Sequence, residues 1–139
     1  MAGALDSQVG EGSVCILVVD DEEQLRRLMG RVLARDGFAV AEASDGAEAV
    51  ALAASAKPAL AIVDQKLPPE GGASVVRALH AAIPALRIVV ASGGDLDAAL
   101  RDDLARIGGS FLRKPFAPRT LADMVRRVLA GESHPDGLR

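Results

Sequence analysis

Four places in this chain pair a chemically capable residue with a telling position. Asp20-Asp21 follow the apolar run Val14-Cys15-Ile16-Leu17-Val18-Val19, and Asp64 follows Leu60-Ala61-Ile62-Val63. Ser92, backed by Gly93-Gly94, follows Leu86-Arg87-Ile88-Val89-Val90-Ala91, and Lys114, with Pro115 behind it, closes Gly108-Gly109-Ser110-Phe111-Leu112-Arg113. Short unbroken apolar runs bounded by turn signals read as buried strands of a parallel sheet. Their polar ends then gather on one edge, outside the carboxyl ends of the strands, where open α/β sheets bind ligands. Carboxylates crowded there repel one another unless a cation joins them. A hard divalent ion such as Mg²⁺ takes oxygen ligands, often one or two carboxylates together with phosphate oxygens. Lys114 adds a point charge. In such a pocket Asp64 is placed to act as a nucleophile toward a phosphoryl group.

Taken singly, each piece has a plainer reading. Asp20-Asp21 before a helix can cap it and complement its dipole. Asp64 can be a turn residue at a strand end, Ser92-Gly93-Gly94 a loop, and Lys114-Pro115 a solvated lysine before a turn. Joint placement decides, because surface charge has no reason to select the same end of successive strands.

The elements that must position these groups are legible from periodicity. After Asp20-Asp21-Glu22-Glu23 a helix buries Leu25, Leu28, Met29, Val32 and Leu33 at helical spacing, and Gly37 stops it. Phe38–Ala43 is a second strand. Asp45 with Glu48 has the form of a capping box, opening a helix through Val50 and Leu52 that Lys57-Pro58 ends. After the Asp64 strand and the loop Pro68-Pro69-Glu70-Gly71-Gly72, a third helix carries Val75, Val76, Leu79 and Ile83. A fourth, sparsely anchored by Leu96, Leu100, Leu104 and Ile107, lies between Gly94 and Gly108. Pro118 suits the first turn of a last helix, with Leu121, Met124, Val125, Val128 and Leu129 inward. Ala117 is a poor cap for it. The pattern is (βα)5 of the α/β class: a three-layer sandwich whose parallel sheet is covered on both faces. Residues 1–13 read as a flexible leader, 14–130 as one domain and 131–139 as a tail.

Composition narrows the function classes. The 139 residues are half apolar with only three aromatics, all Phe, so the core is Ala, Val, Leu and Ile. The net charge of −3 implies no general affinity for nucleic acid. No apolar run approaches the about 20 residues of a membrane span, and no signal-peptide pattern opens the chain. The single Cys15 has no internal partner and sits in an apolar strand, which favours packing over reactivity. These features imply a soluble cytoplasmic protein without direct membrane contact. His80 and His134 have no partner motif and are assigned no role.

Over about Val14 to Ala130 the chain resembles the receiver domain of two-component response regulators. The matching pieces are Val18-Val19-Asp20-Asp21-Glu22, Val63-Asp64-Gln65-Lys66-Leu67-Pro68, Ala91-Ser92-Gly93 and Phe111-Leu112-Arg113-Lys114-Pro115-Phe116. The resemblance implies a flavodoxin-like fold with strand order 2-1-3-4-5. It implies Asp64 as phosphoacceptor. It further implies Mg²⁺, or Mn²⁺ in its place, held by Asp20, Asp21, Asp64 and the main-chain carbonyl of Lys66. Ser92 with Gly93 and Lys114 would bind phosphate, Ser92 being the switch hydroxyl and Phe111 a switch aromatic that turns inward. The Lys114–Pro115 bond is expected to be cis. Implied partners are a histidine kinase or histidine phosphotransfer protein and a downstream protein target. The surface of the fourth helix, fifth strand and last helix would switch, in a monomer or weak dimer. The only reactions expected are self-directed phosphotransfer and autodephosphorylation, not enzymatic turnover. The loop departs from the family pattern at Glu70-Gly71, and Lys66 stands where side chains tune phosphoryl lifetime.

Several alternatives stay open. The chain can stand alone, or be a receiver excised from a hybrid histidine kinase that acts as a relay or sink, which the Ala91-Ser92-Gly93 turn favours somewhat. An aspartyl-phosphate phosphatase would need a second Asp two residues after the first, whereas Asp20 and Asp21 are adjacent. A nucleotide binder would want a Gly-rich fingerprint after the first strand, and none is present.

Overall fold

The computed structural model describes residues 13–69 and 71–132. Most of the expected leader (1–12) and most of the expected tail (133–139), with His134, lie outside the described residues. Five strands alternate with five helices: β1 (Cys15–Val19), α1 (Glu23–Arg35), β2 (Ala39–Ala43), α2 (Gly46–Ala56), β3 (Leu60–Asp64), α3 (Gly72–Ala82), β4 (Arg87–Ser92), α4 (Ala98–Ile107), β5 (Ser110–Arg113) and α5 (Pro118–Leu129). The strands form one parallel sheet in the order β2-β1-β3-β4-β5.

Side chains alternate across a strand, so the apolar runs feed two cores at once. Leu17, Val19, Ala61, Val63, Ile88, Val90 and Phe111 face a core closed by α2, α3 and α4. Ile16, Val18, Leu60, Ile62, Val89, Ala91 and Leu112 face the other, closed by Met29 and Leu33 of α1 and by Leu121, Met124, Val125 and Val128 of α5. Continuing the alternation past the strand ends puts Asp20, Asp64 and Lys114 on the α1/α5 side and Gln65 and Ser92 on the opposite side.

Helix starts follow local chemistry. Asp45 caps α2, accepting from the Glu48 N–H at 2.8 Å, while the Glu48 carboxylate reaches back one residue further than expected, to the Ser44 N–H at 2.7 Å. Asp97 caps α4 in the same way through the Leu100 N–H at 2.8 Å. Ala117 offers no side-chain cap, and α5 opens on Pro118.

Two expected helix faces differ from what is observed. On α2 the fully buried residues are Ala49 and Ala53, with Val50 and Leu52 only partly covered; small side chains let this helix approach the sheet closely. On α1, Leu28 is 44 % exposed, because α5 packs against Met29 and Leu33 and leaves the Leu25, Leu28 and Val32 edge open.

Gly72, the first residue of α3, has a specific steric duty. A Cβ there would lie 2.5 Å from the Asp64 carbonyl oxygen and 2.9 Å from the Gln65 Cα. Its N–H donates to the Gln65 carbonyl at 2.8 Å. Only a hydrogen side chain lets α3 start against the end of β3.

Candidate functional site

The site sits on the carboxyl rim of β1, β3, β4 and β5. Asp20 is 1 % exposed and held from several directions. Its N–H donates to the Ala43 carbonyl at 3.1 Å, and its Oδ1 accepts from the Glu22 N–H at 2.9 Å. Its carbonyl accepts from Arg26 Nη1 at 2.9 Å, and Arg26 Nε is steadied by Glu42 at 3.3 Å. Asp21 is exposed on the rim beside it, and Asp64 is 9 % exposed at the end of β3. The three carboxylates each offer an oxygen within 4.8 Å of the others. Lys114 reaches into this group, its Nζ lying 3.2 Å from Asp20 Oδ2 and 3.3 Å from Asp64 Oδ1.

The electrostatics are those of a crowded anionic pocket. Burial pushes the Asp64 carboxyl above its ordinary range, and the neighbouring Asp20 charge adds to this; Lys114 and the Lys66 N–H pull it back only in part. Burial alone would lower the Lys114 ammonium, but the Asp20 and Asp64 carboxylates outweigh it and hold it above its usual value. Three hard oxygen donors at this spacing, open on the Asp21 side, suit Mg²⁺ or Mn²⁺. Lys66 is exposed, lines the same depression as Asp21 and Asp64, and points its N–H toward Asp64 Oδ1 at a long 3.4 Å.

Ser92 closes the far side. It is 2 % exposed, and its carbonyl accepts from the Lys114 N–H at 2.8 Å, joining β4 to the lysine. Gly93 and Gly94 are exposed, and a methyl group on either would meet open space. The Lys114–Pro115 peptide is cis, and so is Pro68–Pro69, which sequence reasoning did not anticipate. Phe111 is already inside, 1 % exposed among the α2/α3/α4 core residues, with the Arg113 guanidinium 5.3 Å from its ring centre. The ring thus lies inward in this conformation. A phenyl ring, unlike a phenol, has no polar tip to keep at the surface.

Two residues that sequence reasoning passed over belong to the site. Arg26 fixes the turn that carries Asp20 and Asp21; its only sequence signal is a basic residue one turn into α1. Gln65 donates from Nε2 to Ser92 Oγ at 2.9 Å and accepts at Oε1 from the Asp97 N–H at 3.1 Å. Its signal was strand alternation, which puts it on the Ser92 side. Other candidates lie apart. His80 is on α3 near Arg77, Asp103 and Ile107, and burial raises the Cys15 thiol, opposing thiolate chemistry. On the last two helices Arg106 pairs with Asp103, and Arg126 with both Asp123 and Asp36, within the chain.

Beside the site, an apolar groove of about 530 Å³ runs between Leu25, Leu28, Met29 and Val32 of α1 and Pro115, Phe116, Pro118 and Leu121, with Gly93 and Lys114 at its head.

A five-stranded parallel sheet in the order 2-1-3-4-5, helices on both faces and an acidic cluster with a lysine at its carboxyl rim define a flavodoxin-like protein of the chemotaxis-receiver kind. The response regulator receiver domain family matches residues 16–126, and the chain belongs to that family. It is 36 % identical over 117 residues to the alkaline phosphatase synthesis transcriptional regulatory protein PhoP of Bacillus subtilis, covering 82 % of this chain and 48 % of the relative. The chain thus spans about half the length of the curated relatives it matches. A CheY-like receiver domain protein from Methanospirillum hungatei superposes with a TM-score of 0.80 over 86 % of this chain and 96 % of that one, at 23 % identity, a likeness of fold. A response regulator from Burkholderia pseudomallei, solved with a phosphorylated aspartic acid, a calcium ion and citrate, superposes at 0.70 with 28 % identity over 85 % of this chain and 74 % of that one. Among the described residues no helix is long and apolar enough to cross a membrane.

Proposed function

We propose that this receiver accepts a phosphoryl group on Asp64 from a phosphohistidine of a kinase or phosphotransfer protein. A carboxylate oxygen of Asp64 attacks phosphorus, the P–N bond breaks, and its electron pair leaves with the imidazole, which takes up a proton. The product is a mixed anhydride at the end of β3. Phosphoryl transfer is chiefly positioning and charge neutralisation, and the residues present serve those ends. Asp20, Asp21, Asp64 and the Lys66 carbonyl would hold Mg²⁺, which supplies positive charge to the phosphoryl oxygens. Lys114, already in contact with Asp64, shifts its ammonium onto the transferred group, and the Ser92 hydroxyl donates to it. Water later attacks phosphorus, releases phosphate and restores the carboxylate, so the chain resets itself without being a turnover enzyme. The open Gly93-Gly94 segment supports access for that water, and the exposed Lys66 side chain stands where it can alter the lifetime.

The observation that carries this reading is the meeting of Asp20, Asp21 and Asp64 within 4.8 Å under Lys114. The phosphorylated aspartic acid of the Burkholderia relative supports it. The apolar groove, whose head shares Lys114 with the site, supports docking of a helical phosphodonor along α1. On phosphorylation the α4–β5–α5 surface changes and is read by a protein partner. Mass spectrometry after a small acyl phosphate with Mg²⁺ tests the reading. Wild type should gain one acid-stable, base-labile phosphoryl group and Asp64→Ala none; equal gain by both would refute it.

A further inference from the structure

The buried position of Phe111 leaves open how a change at Asp64 reaches α4, and the hydrogen bonds around Ser92 supply a route. Asp64 pairs with Ala91 in the sheet, and the Gln65 N–H donates to the Ala91 carbonyl at 2.9 Å. Gln65 thus stands beside Ser92 one step further along, on the sheet face opposite the Asp64 side chain. Its amide spans two elements. Nε2 donates to Ser92 Oγ at 2.9 Å and, at a longer 3.4 Å, to the Asp95 carbonyl, while Oε1 accepts from the Asp97 N–H at 3.1 Å. A main-chain N–H can only donate and a carbonyl only accept, so these two partners fix which way round the amide lies. Asp97 is the residue that caps α4.

Ser92 has no hydrogen-bonding capacity to spare. Its hydroxyl accepts from Gln65 Nε2 and from the Gly94 N–H at 3.1 Å, and donates to the Gly94 carbonyl at 3.1 Å. One proton and two lone pairs are all a hydroxyl has. Donating to any new oxygen on the Asp64 side means leaving this arrangement.

We infer that Gln65 is the positioning residue through which the state of Asp64 reaches the first turn of α4. With Asp64 free, its amide holds the Ser92 hydroxyl and the Asp97 N–H in one unit. When Ser92 turns to a phosphoryl group, Gln65 loses that anchor, and its hold on the start of α4 loosens. The inference rests on Asp64 being the phosphoacceptor.

Hydrogen exchange of the whole chain, with and without a small acyl phosphate and Mg²⁺, tests it alongside a mass measurement of phosphoryl gain. In wild type, phosphorylation should speed exchange of the Asp97 amide about three- to tenfold, the factor expected for one lost hydrogen bond. In Gln65→Met, which keeps the length but neither polar end, that amide should exchange at the faster rate before any phosphodonor is added, and phosphorylation should add less than about twofold. Ser92→Ala, which removes the hydroxyl that anchors Gln65, should likewise show the faster rate before any phosphodonor is added and gain less than about twofold on phosphorylation. This second variant carries the test should Gln65→Met not fold. Phosphorylated wild type with unaltered exchange would overturn the inference alone. So would a Gln65→Met amide as protected as wild type, or a Ser92→Ala amide that starts slow and accelerates as wild type does. A wild type that gains no phosphoryl mass would overturn the Asp64 reading and this inference with it.

Discussion

Lys114 and Asp20, 94 positions apart in the chain, meet at 3.2 Å on the rim of the sheet. The same ammonium touches Asp64 at 3.3 Å. One lysine thus offsets two carboxylates, one of them fully buried, before any metal or phosphoryl group is considered. Lys114→Met should therefore destabilise the fold at neutral pH by about 1–3 kcal/mol, below the full cost of breaking a buried pair because the lysine is partly solvated. Its folded pKa is raised, so its contribution is complete below the ordinary lysine value of 10.5 and fades only as pH climbs through the folded value. Urea unfolding of both proteins at neutral and strongly alkaline pH measures this. Equal stability at neutral pH would show that the contact contributes nothing.

Asp64 runs the other way. Its carboxyl is raised, chiefly by burial and then by Asp20, so the folded state holds that proton more tightly than the unfolded chain does. Wild type should lose stability as pH rises from the ordinary value of 3.8 through the folded value, and Asp64→Asn should not. At pH 7 the variant should melt a few degrees higher, about the shift expected for 1 kcal/mol or less in a domain of this size. The gap should close in acid below the ordinary value. A pH series by calorimetry that finds the variant less stable at neutral pH would reverse this account of the pocket.

Metal binding to the acidic cluster should appear as stabilisation. A divalent ion at ten times its dissociation constant adds about 1.4 kcal/mol to the folded state. Mg²⁺ should raise the melting temperature of wild type by several degrees, whereas Asp21→Asn should lose most of that response. Thermal-shift titration reads it directly, and an undiminished response in Asp21→Asn would move the metal elsewhere.

Gly72→Ala should cost about 1–3 kcal/mol, the range for forcing extra atoms into packed structure. The obstacle is main chain, the Asp64 carbonyl oxygen and Gln65 Cα, which cannot rotate out of the way. Denaturant midpoints test this, with Gly93→Ala, which meets open space, as the comparison expected to change little.

Much of the architecture is visible in the chain itself because β1, β3, β4 and β5 each carry a short apolar stretch that leads into a polar residue. Asp20, Asp64, Ser92 and Lys114 stand out for that reason. What the chain does not display are relations that depend on register and on neighbours. Gln65 is an ordinary polar residue until the pairing of Asp64 with Ala91 sets it beside Ser92. Leu28 belongs to an apolar stripe like any other, and only the placement of α5 leaves it exposed. Ala49 and Ala53 carry the inner face of α2 because close approach rewards small side chains over the neighbouring Val50 and Leu52. Nor does the chain display which way the Phe111 ring lies, which is inward in this conformation.

The most direct measurement is to locate the modified residue. After exposure to a small acyl phosphate and Mg²⁺, fragmentation of the intact protein should place a single phosphoryl group on Asp64, at up to one per chain. A phosphoryl group mapped to His80, to Asp20 or to several residues, or one retained in full by Asp64→Ala, would contradict the account.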